Sequence, residues 1–238
     1  MSKPRLIWER TEPTRRASPA PLSRDRIVRT AIQLADAKGL EAVSLRNIAA
    51  KLGVGPMRLY GYVAAKQDLL ELMVDAVQGE PASAARSRAD WRRALRAIAN
   101  QVRDAALAHP WLVELLGGRP RLGPHALAQL EATLAVLNGI GGTPGIDAVL
   151  QAAGTFDAYV LGAIRTEIGE RRDELTSGKS KPEWQAAAGQ YLQRLVATGK
   201  FPMLDRVMRE ASHPGPDVRF ERGLDCVLDG IASRLLSV

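Results

Sequence analysis

The segment from Ser44 to Lys66 has the pattern of two short helices joined by a tight turn. Ser44 is a typical N-cap residue, and the apolar residues behind it recur at helical spacing: Leu45, Ile48, Ala49 and Leu52. Gly53 can adopt the left-handed conformation that ends a helix, and Pro56 suits the first turn of the next one. The sequence therefore predicts a helix-turn-helix.

The second helix of this pair has a distinct outward face. Leu59 and Val63 have the spacing of inward residues, which leaves four residues on the opposite side: Met57, Arg58, Gly61 and Tyr62. A helix that presents its side chains in this way fits the major groove of DNA.

Positive charge is concentrated around the same segment. Residues 1–66 hold 13 Lys or Arg and 5 Asp or Glu, a net charge of +8, whereas the whole chain has a net charge of +7. A basic surface beside a helix-turn-helix favours binding to the phosphate backbone, because each neutralised phosphate releases counterions. Blocks of charge also occur on solvated surfaces, so charge alone leaves both readings open.

The rest of the chain reads as helical. No stretch shows sustained two-residue alternation of apolar and polar side chains, so we predict an all-α fold. The predicted divisions are a flexible basic arm over 1–22, a helix-turn-helix domain over 23–66, a connector helix over 67–80 and a larger helical domain over 81–238.

Two features of the sequence bear on the compartment. Cys226 is the only cysteine, which excludes a disulfide within the chain and predicts a small apolar residue of the core. No apolar run is long enough for a membrane-spanning helix, and the basic amino terminus lacks the apolar stretch of a signal peptide. We expect a cytoplasmic protein without membrane contact.

Four segments follow one another in a characteristic order: RIVRTAIQLADAKG, GLEAVSLRNIAAKLGV, GPMRLYGYV and KQDLLELMVD. In this order they resemble the amino-terminal domain of the tetracycline-repressor (TetR) family. The later pattern, which ends in FERGLDCVLDGI, is similar to the carboxyl-terminal regulatory domain of the tetracycline-repressor subgroup. The resemblance implies a homodimeric, ligand-responsive transcriptional regulator, most often a repressor, that binds a palindromic operator.

The resemblance also implies specific DNA contacts. Ser44 and Arg46 stand where the family offers a helix amino end to a phosphate and an arginine to the groove, and Tyr60 and Lys66 stand where it contacts phosphates. The positions that read bases hold Pro56, Met57, Arg58, Gly61 and Tyr62. Arg58 and Gly61 depart from the residues usual in the family, so the operator sequence does not follow.

Dimerisation and ligand binding are assigned to the larger domain. By resemblance, helices over about 146–172 and 217–237 pair with their copies in a four-helix bundle, and an internal core is the alternative. Their apolar stripes consist of Ile146, Val149, Ala153, Phe156, Val160, Ile164 and Ile168, and of Leu224, Val227, Leu228, Ile231 and Leu235. The candidate residues for a small-molecule inducer are Trp111, Leu115, His125, Gln129, Thr133, Thr155 and Tyr159.

Catalysis is not expected. The three histidines have no ligand-spaced cluster for a metal, and neither a P-loop nor a Gly-x-Ser-x-Gly elbow is present. We therefore expect no cofactor and no metal. The alternatives to an inducible regulator are a DNA-binding regulator without an inducer and, less favoured, a helical-bundle enzyme fused to a DNA-binding head.

Overall fold

The computed structural model describes residues 6–13, 21–79, 91–118, 121–140, 145–178 and 180–236. The α-helices within these ranges are α1 Arg24–Lys38, α2 Leu45–Leu52, α3 Lys66–Gln78, α4 Trp91–Ala108, α5 Leu112–Leu115, α6 Pro124–Asn138, α7 Ile146–Ser177, α8 Lys181–Val196, α9 Pro202–Glu210 and α10 Pro216–Leu236. No β-strand occurs in the described ranges, so the all-α prediction is confirmed. None of these helices has the length and apolar character needed to cross a bilayer.

Helices α1, α2 and α3 pack into an amino-terminal three-helix unit. The hydroxyl of Ser23 accepts a hydrogen bond from the backbone N–H of Arg26 and caps α1, and Ser44 caps α2 in the same way through Asn47. Gly53 ends α2 in the left-handed conformation with φ of 67°. Both ends of α2 therefore lie where the sequence predicts them.

The segment 6–13 differs from the predicted flexible arm. Ile7 is only 1% exposed, because it packs into the hydrophobic core from a short 3-10 helix over Ile7–Glu9. The guanidinium of Arg10 pairs with the carboxylate of Asp68 on α3 at 2.6 Å, and Arg24 donates to the Arg10 carbonyl. The prediction of flexibility is wrong for 6–13, and residues 1–5 and 14–20 lie outside the described part.

The carboxyl-terminal domain is built around the long helix α7, which packs against α4, α6 and α10. The stripes predicted to form the dimer seam are buried inside the single chain, because α7 and α10 face each other and the other helices. The buried members are Val149, Ala153, Phe156, Val160, Ile164 and Ile168 on α7, and Leu224, Leu228, Ile231 and Leu235 on α10. These residues form an internal core, and Ile146, at 64% exposure, is outside it.

A buried ion pair joins α4 to α7. The guanidinium of Arg103 donates to both carboxylate oxygens of Glu167, at 2.8 and 3.0 Å, and both side chains are less than a tenth exposed. Arg103 also pairs with Asp217 at the start of α10 and lies over the ring of Phe220. The side chain of Arg103 therefore links α4 to both α7 and α10.

Three helices were absent from the sequence prediction. Helix α5 is a single turn, and α8 and α9 pack against each other after α7, which ends at Ser177 rather than near 172. None of the described side chains of α8 or α9 is buried. The apolar residues of α8 and α9 therefore do not form the periodic buried stripe that predicts a helix from sequence. The start of α8 does carry a local helix signal, a capping box between Ser180 and Glu183.

Candidate DNA interface and ligand cleft

The second helix of the predicted helix-turn-helix is a short 3-10 helix over Pro56–Gly61, which we term the recognition element. Leu59 is fully buried and anchors it, whereas Met57 is 79% exposed. Arg58 and Gly61 of the predicted outward face are also exposed, and so are Pro56 and Tyr60, two further residues predicted to contact DNA. Tyr62 differs, because its side chain is half-buried against the core and its carbonyl accepts a hydrogen bond from Arg24.

Basic side chains flank this element. Arg46 on α2 and Lys66 at the start of α3 are exposed, and within the described residues neither has a hydrogen-bond or ion-pair partner. The N-cap residue of α3 is Ala65, so no side chain occupies the first N–H groups of that helix. Ser44, in contrast, already accepts from Asn47 and is half-buried. Arg46 and Lys66 are therefore available to phosphates or bases.

The amino-terminal segment passes close to the recognition element at Gly61. A Cβ at this position would lie 3.4 Å from Cγ of Pro13, which is an ordinary van der Waals contact. The backbone N–H of Arg24 donates to the carboxylate of Glu12 in the same segment. Packing within the chain therefore does not require a glycine at 61.

A cleft of about 400 Å³ opens between α4, α6, α7 and the end of α3. This volume lies in the range of small-molecule sites. Its lining is mostly apolar with a few polar groups, and consists of Gln78, Val102, Leu116, Gly117, Gly118, Arg121, Ala126, Gln129, Leu130, Thr133, Phe156, Asp157, Val160 and Leu161. Of the predicted ligand residues, Gln129 and Thr133 line it.

Trp111 and His125 lie at contacts between the domains instead. The indole N–H of Trp111 donates to the carboxylate of Asp36 on α1 at 2.7 Å, and His109 contacts the same carboxylate. The ring Nδ1 of His125 lies 3.0 Å from the carbonyl of Asp75 on α3. Both α1 and α3 thus touch the larger domain.

The other three predicted ligand residues also lie away from the cleft. Leu115 precedes the lining residue Leu116 but is not part of the lining. The hydroxyl of Thr155 donates to the Gln151 carbonyl on the exposed side of α7. The hydroxyl of Tyr159 donates to the Phe220 carbonyl at 2.6 Å, beside a smaller pocket. Helical spacing alone did not resolve which side of α7 faces the cleft.

Asp157 is the lining residue that sequence reasoning missed. Loss of water around its carboxyl raises its pKa from 3.8 to about 6, although the side chain is still reached by solvent through the open cleft. No described residue forms a hydrogen bond or ion pair with it. Among the described residues that line the cleft, the only other charged one is Arg121.

The outer sides of α7 and α10 carry small residues. Gly154, Ala158 and Gly162 are exposed at four-residue spacing on α7, and Cys226 and Gly230 are exposed on α10. A Cβ added at Gly154, Gly162 or Gly230 would meet nothing within 4 Å. Cys226 is thus on the surface of the chain rather than in the predicted core position.

Comparison with known proteins identifies the family. The profile of bacterial regulatory proteins of the tetR family matches residues 27–73, and that of the tetracyclin repressor-like, C-terminal domain matches residues 84–235. The chain belongs to the TetR family. The three-helix unit is therefore the DNA-binding domain of a TetR-family transcriptional regulator, as the resemblance implies.

Relatives match along nearly the whole chain. The HTH-type transcriptional repressor DrrR1 of Streptomyces coeruleorubidus is 35% identical and aligns over 95% of this chain and 83% of its own length. An HTH-type transcriptional regulator of Saccharopolyspora erythraea is 32% identical over 97% and 92% of the two chains. The structure of ActR from Streptomyces coelicolor in complex with actinorhodin has a TM-score of 0.76 and 28% identity, covering 90% of this chain and 98% of that one.

Proposed function

We propose that this TetR-family protein is a ligand-responsive repressor that binds a palindromic operator as a homodimer and leaves it when a small molecule fills the cleft. The carrying observation is the contact between Asp75 and the start of α6, where the backbone N–H groups of His125 and Ala126 each donate to its Oδ1 at 3.0 Å. Helix α6 lines the cleft, and α3 begins beside the recognition element. The relatives named as repressors and the ActR complex support the same function.

The contact suggests how the cleft is coupled to DNA. Helix α3 runs from Lys66 to Gln78, and Gln78 itself lines the cleft. A ligand that displaces α6 therefore also displaces Asp75 on α3, because Asp75 accepts hydrogen bonds from the start of α6. The ligand must bind better to the conformation in which the two recognition elements no longer match half-sites about 34 Å apart, because only differential affinity shifts a population.

The DNA contacts follow from exposure and charge. We assign base reading to Arg46, Arg58 and the backbone around Gly61, because an arginine can bond guanine through two hydrogen bonds. Lys66 and Tyr60 contact phosphates. Ser44 caps α2, and its contribution is to orient the free N–H groups at the start of that helix.

We propose that the homodimer forms through the outer sides of α7 and α10. The small residues Gly154, Gly162 and Gly230 allow close approach of helices from a second copy, and two-fold symmetry repeats the same face on both subunits. The apolar stripes of the same helices, which the sequence assigns to the dimer interface, are buried within the chain and do not form this face.

The proposed role includes no catalysis, no cofactor and no metal. The relatives are regulators, which supports a non-enzymatic function, and an operator as target implies action in the bacterial cytoplasm. A regulator without an inducer is the second candidate.

The experiment combines operator selection with ligand release. Fragments bound by the full chain are selected from random DNA, and the selected operator is then used in a binding assay with a small-molecule panel. We expect a palindromic operator and release by at least one compound that also binds the protein alone. Compounds that bind in the cleft but leave operator affinity unchanged would contradict the ligand response and leave DNA binding intact.

A further inference from the structure

The cleft contains two hydrogen-bond acceptors without a donor. The carboxylate of Asp157 has no partner among the described residues, and the side-chain Oε1 of Gln78 is buried without one. The hydroxyl of Thr133, a third polar group of the lining, is already used, because it donates to the Gln129 carbonyl. A hydrogen-bond acceptor that loses contact with water stabilises a complex only when the ligand supplies a donor to it.

The geometry points to an amphipathic cation as the ligand of this cleft, with a protonated nitrogen that pairs with Asp157 and an apolar body that lies against Phe156, Val160 and Leu130. This inference rests on the proposed ligand response and names the ligand class of the same site. Neither the family descriptions nor the names of the relatives state this ligand class.

The surrounding residues favour a cation over an anion or a neutral compound. The apolar side chains that line the cleft next to Asp157 include Phe156, Val160 and Leu161, and they lower the local dielectric constant. Asp157 itself is exposed to solvent, but partial desolvation of its carboxyl raises its pKa, so a counter-ion would stabilise the charged form. Arg121 lines the same cleft but forms no ion pair with Asp157, so a ligand cation has access to the carboxylate.

A ligand without an N–H or O–H donor would leave the acceptors unpaired, and a neutral donor would leave the charge of Asp157 without a counter-ion. An anion would also be repelled by Asp157 and would depend on Arg121 alone. The apolar lining nonetheless requires more than a small ion, because most of the wall offers no polar contact. A compound with one basic nitrogen on a rigid apolar body satisfies both parts of the site.

The test uses amphipathic amines, each paired with its N-acetyl derivative, which has nearly the same shape and no charge. Desipramine and N-acetyl desipramine are one such pair. Binding to the full-length protein is measured by calorimetry without DNA, and operator release is measured separately. We expect at least one amine to bind about tenfold or more tightly than its amide, as for a charge-assisted hydrogen bond.

Substitution at Asp157 provides the decisive comparison. In Asp157→Asn the preference for the amine over the amide should disappear, whereas Asp173→Asn, which removes the same charge from the exposed end of α7, should keep it. Equal binding of amine and amide across all pairs, or a preference that survives Asp157→Asn, overturns the inference. Release of the operator by neutral or anionic compounds alone would overturn the ligand class while sustaining the proposed function, and those two failures are therefore distinguishable.

Discussion

The carboxylate of Asp75 occupies the space that a side chain on Gly123 would need. A Cβ built on Gly123 would overlap the carboxylate, which accepts the first N–H groups of α6. Asp75 is 5% exposed and lies on α3, whereas Gly123 is the N-cap residue of α6. A residue of the connector thus performs the capping that a side chain at 123 would otherwise provide.

Gly123→Ala should therefore displace Asp75 and leave backbone N–H groups of α6 unpaired. We expect the free energy of unfolding to fall by about 1–3 kcal/mol. The matched control is Gly145→Ala at the N-cap of α7, where a Cβ meets nothing within 4 Å and the change should be a few tenths of a kcal/mol. Urea unfolding of both variants measures the difference, and equal losses would contradict this account of Asp75.

Arg103→Ala should destabilise the larger domain strongly. The substitution leaves Glu167 buried without its main partner, which costs about 3–5 kcal/mol. Arg171→Ala removes the other, exposed partner of the same carboxylate and should cost less than about 1 kcal/mol. Thermal and urea unfolding provide the comparison. Similar losses in the two variants would show that burial of the Arg103 pair is unimportant.

Arg46→Ala should weaken operator binding by about 1–3 kcal/mol and relax sequence preference, whereas Lys66→Ala should weaken all DNA sequences to a similar extent and reduce the salt slope by about 1. Lys200→Ala, an exposed basic residue between α8 and α9, is the control and should change neither property. Titrations at several salt concentrations test this. Identical, salt-independent losses in the first two variants would remove the distinction between base reading and phosphate contact.

Local signals in the sequence were sufficient for the amino-terminal unit. Capping by Ser44 and the left-handed conformation of Gly53 depend on neighbouring residues only, so their predicted positions are confirmed. The segment 6–13 was misjudged because its order depends on distant contacts, such as Arg10 with Asp68. Three consecutive apolar residues, Leu6, Ile7 and Trp8, are too short a run to give a periodic pattern.

The ligand site required tertiary information. Helical periodicity identified the buried stripe of α7 but could not tell whether a second copy or the same chain covers it. The polar residues near the cleft divide between capping, domain contacts and the lining, and only Gln129 and Thr133 were assigned correctly to the lining. Asp157 was missed because an acidic residue on a long helix is ordinarily a solvated one.

The dimer proposal distinguishes two substitutions that are close together on α10. Gly230→Arg places a long charged side chain on the open outer face, and because arginine favours the helix more than glycine does, the subunit should stay folded but become monomeric. Leu228→Glu instead buries a charge in the chain's own core and should unfold the domain. Sedimentation and circular dichroism measure both. A dimeric Gly230→Arg variant would exclude this face as the interface.

The raised pKa of Asp157 predicts a pH-dependent effect on stability. Its pKa is about 6 in the folded chain against an ordinary value of 3.8 for an aspartate, so the folded state binds the proton more tightly. The resulting stabilisation is fully present below about pH 4 and is lost as the pH rises through about 6, where the desolvated carboxyl ionises.

Asp157→Asn should therefore melt close to the wild-type temperature at pH 4 and above it at pH 7.5. Scanning calorimetry of this variant and of Asp173→Asn, which should show no such trend, tests the assignment, since titrations elsewhere affect all three proteins alike. A melting-temperature difference that does not change between pH 4 and 7.5 would show that the Asp157 carboxyl is fully hydrated in the cleft.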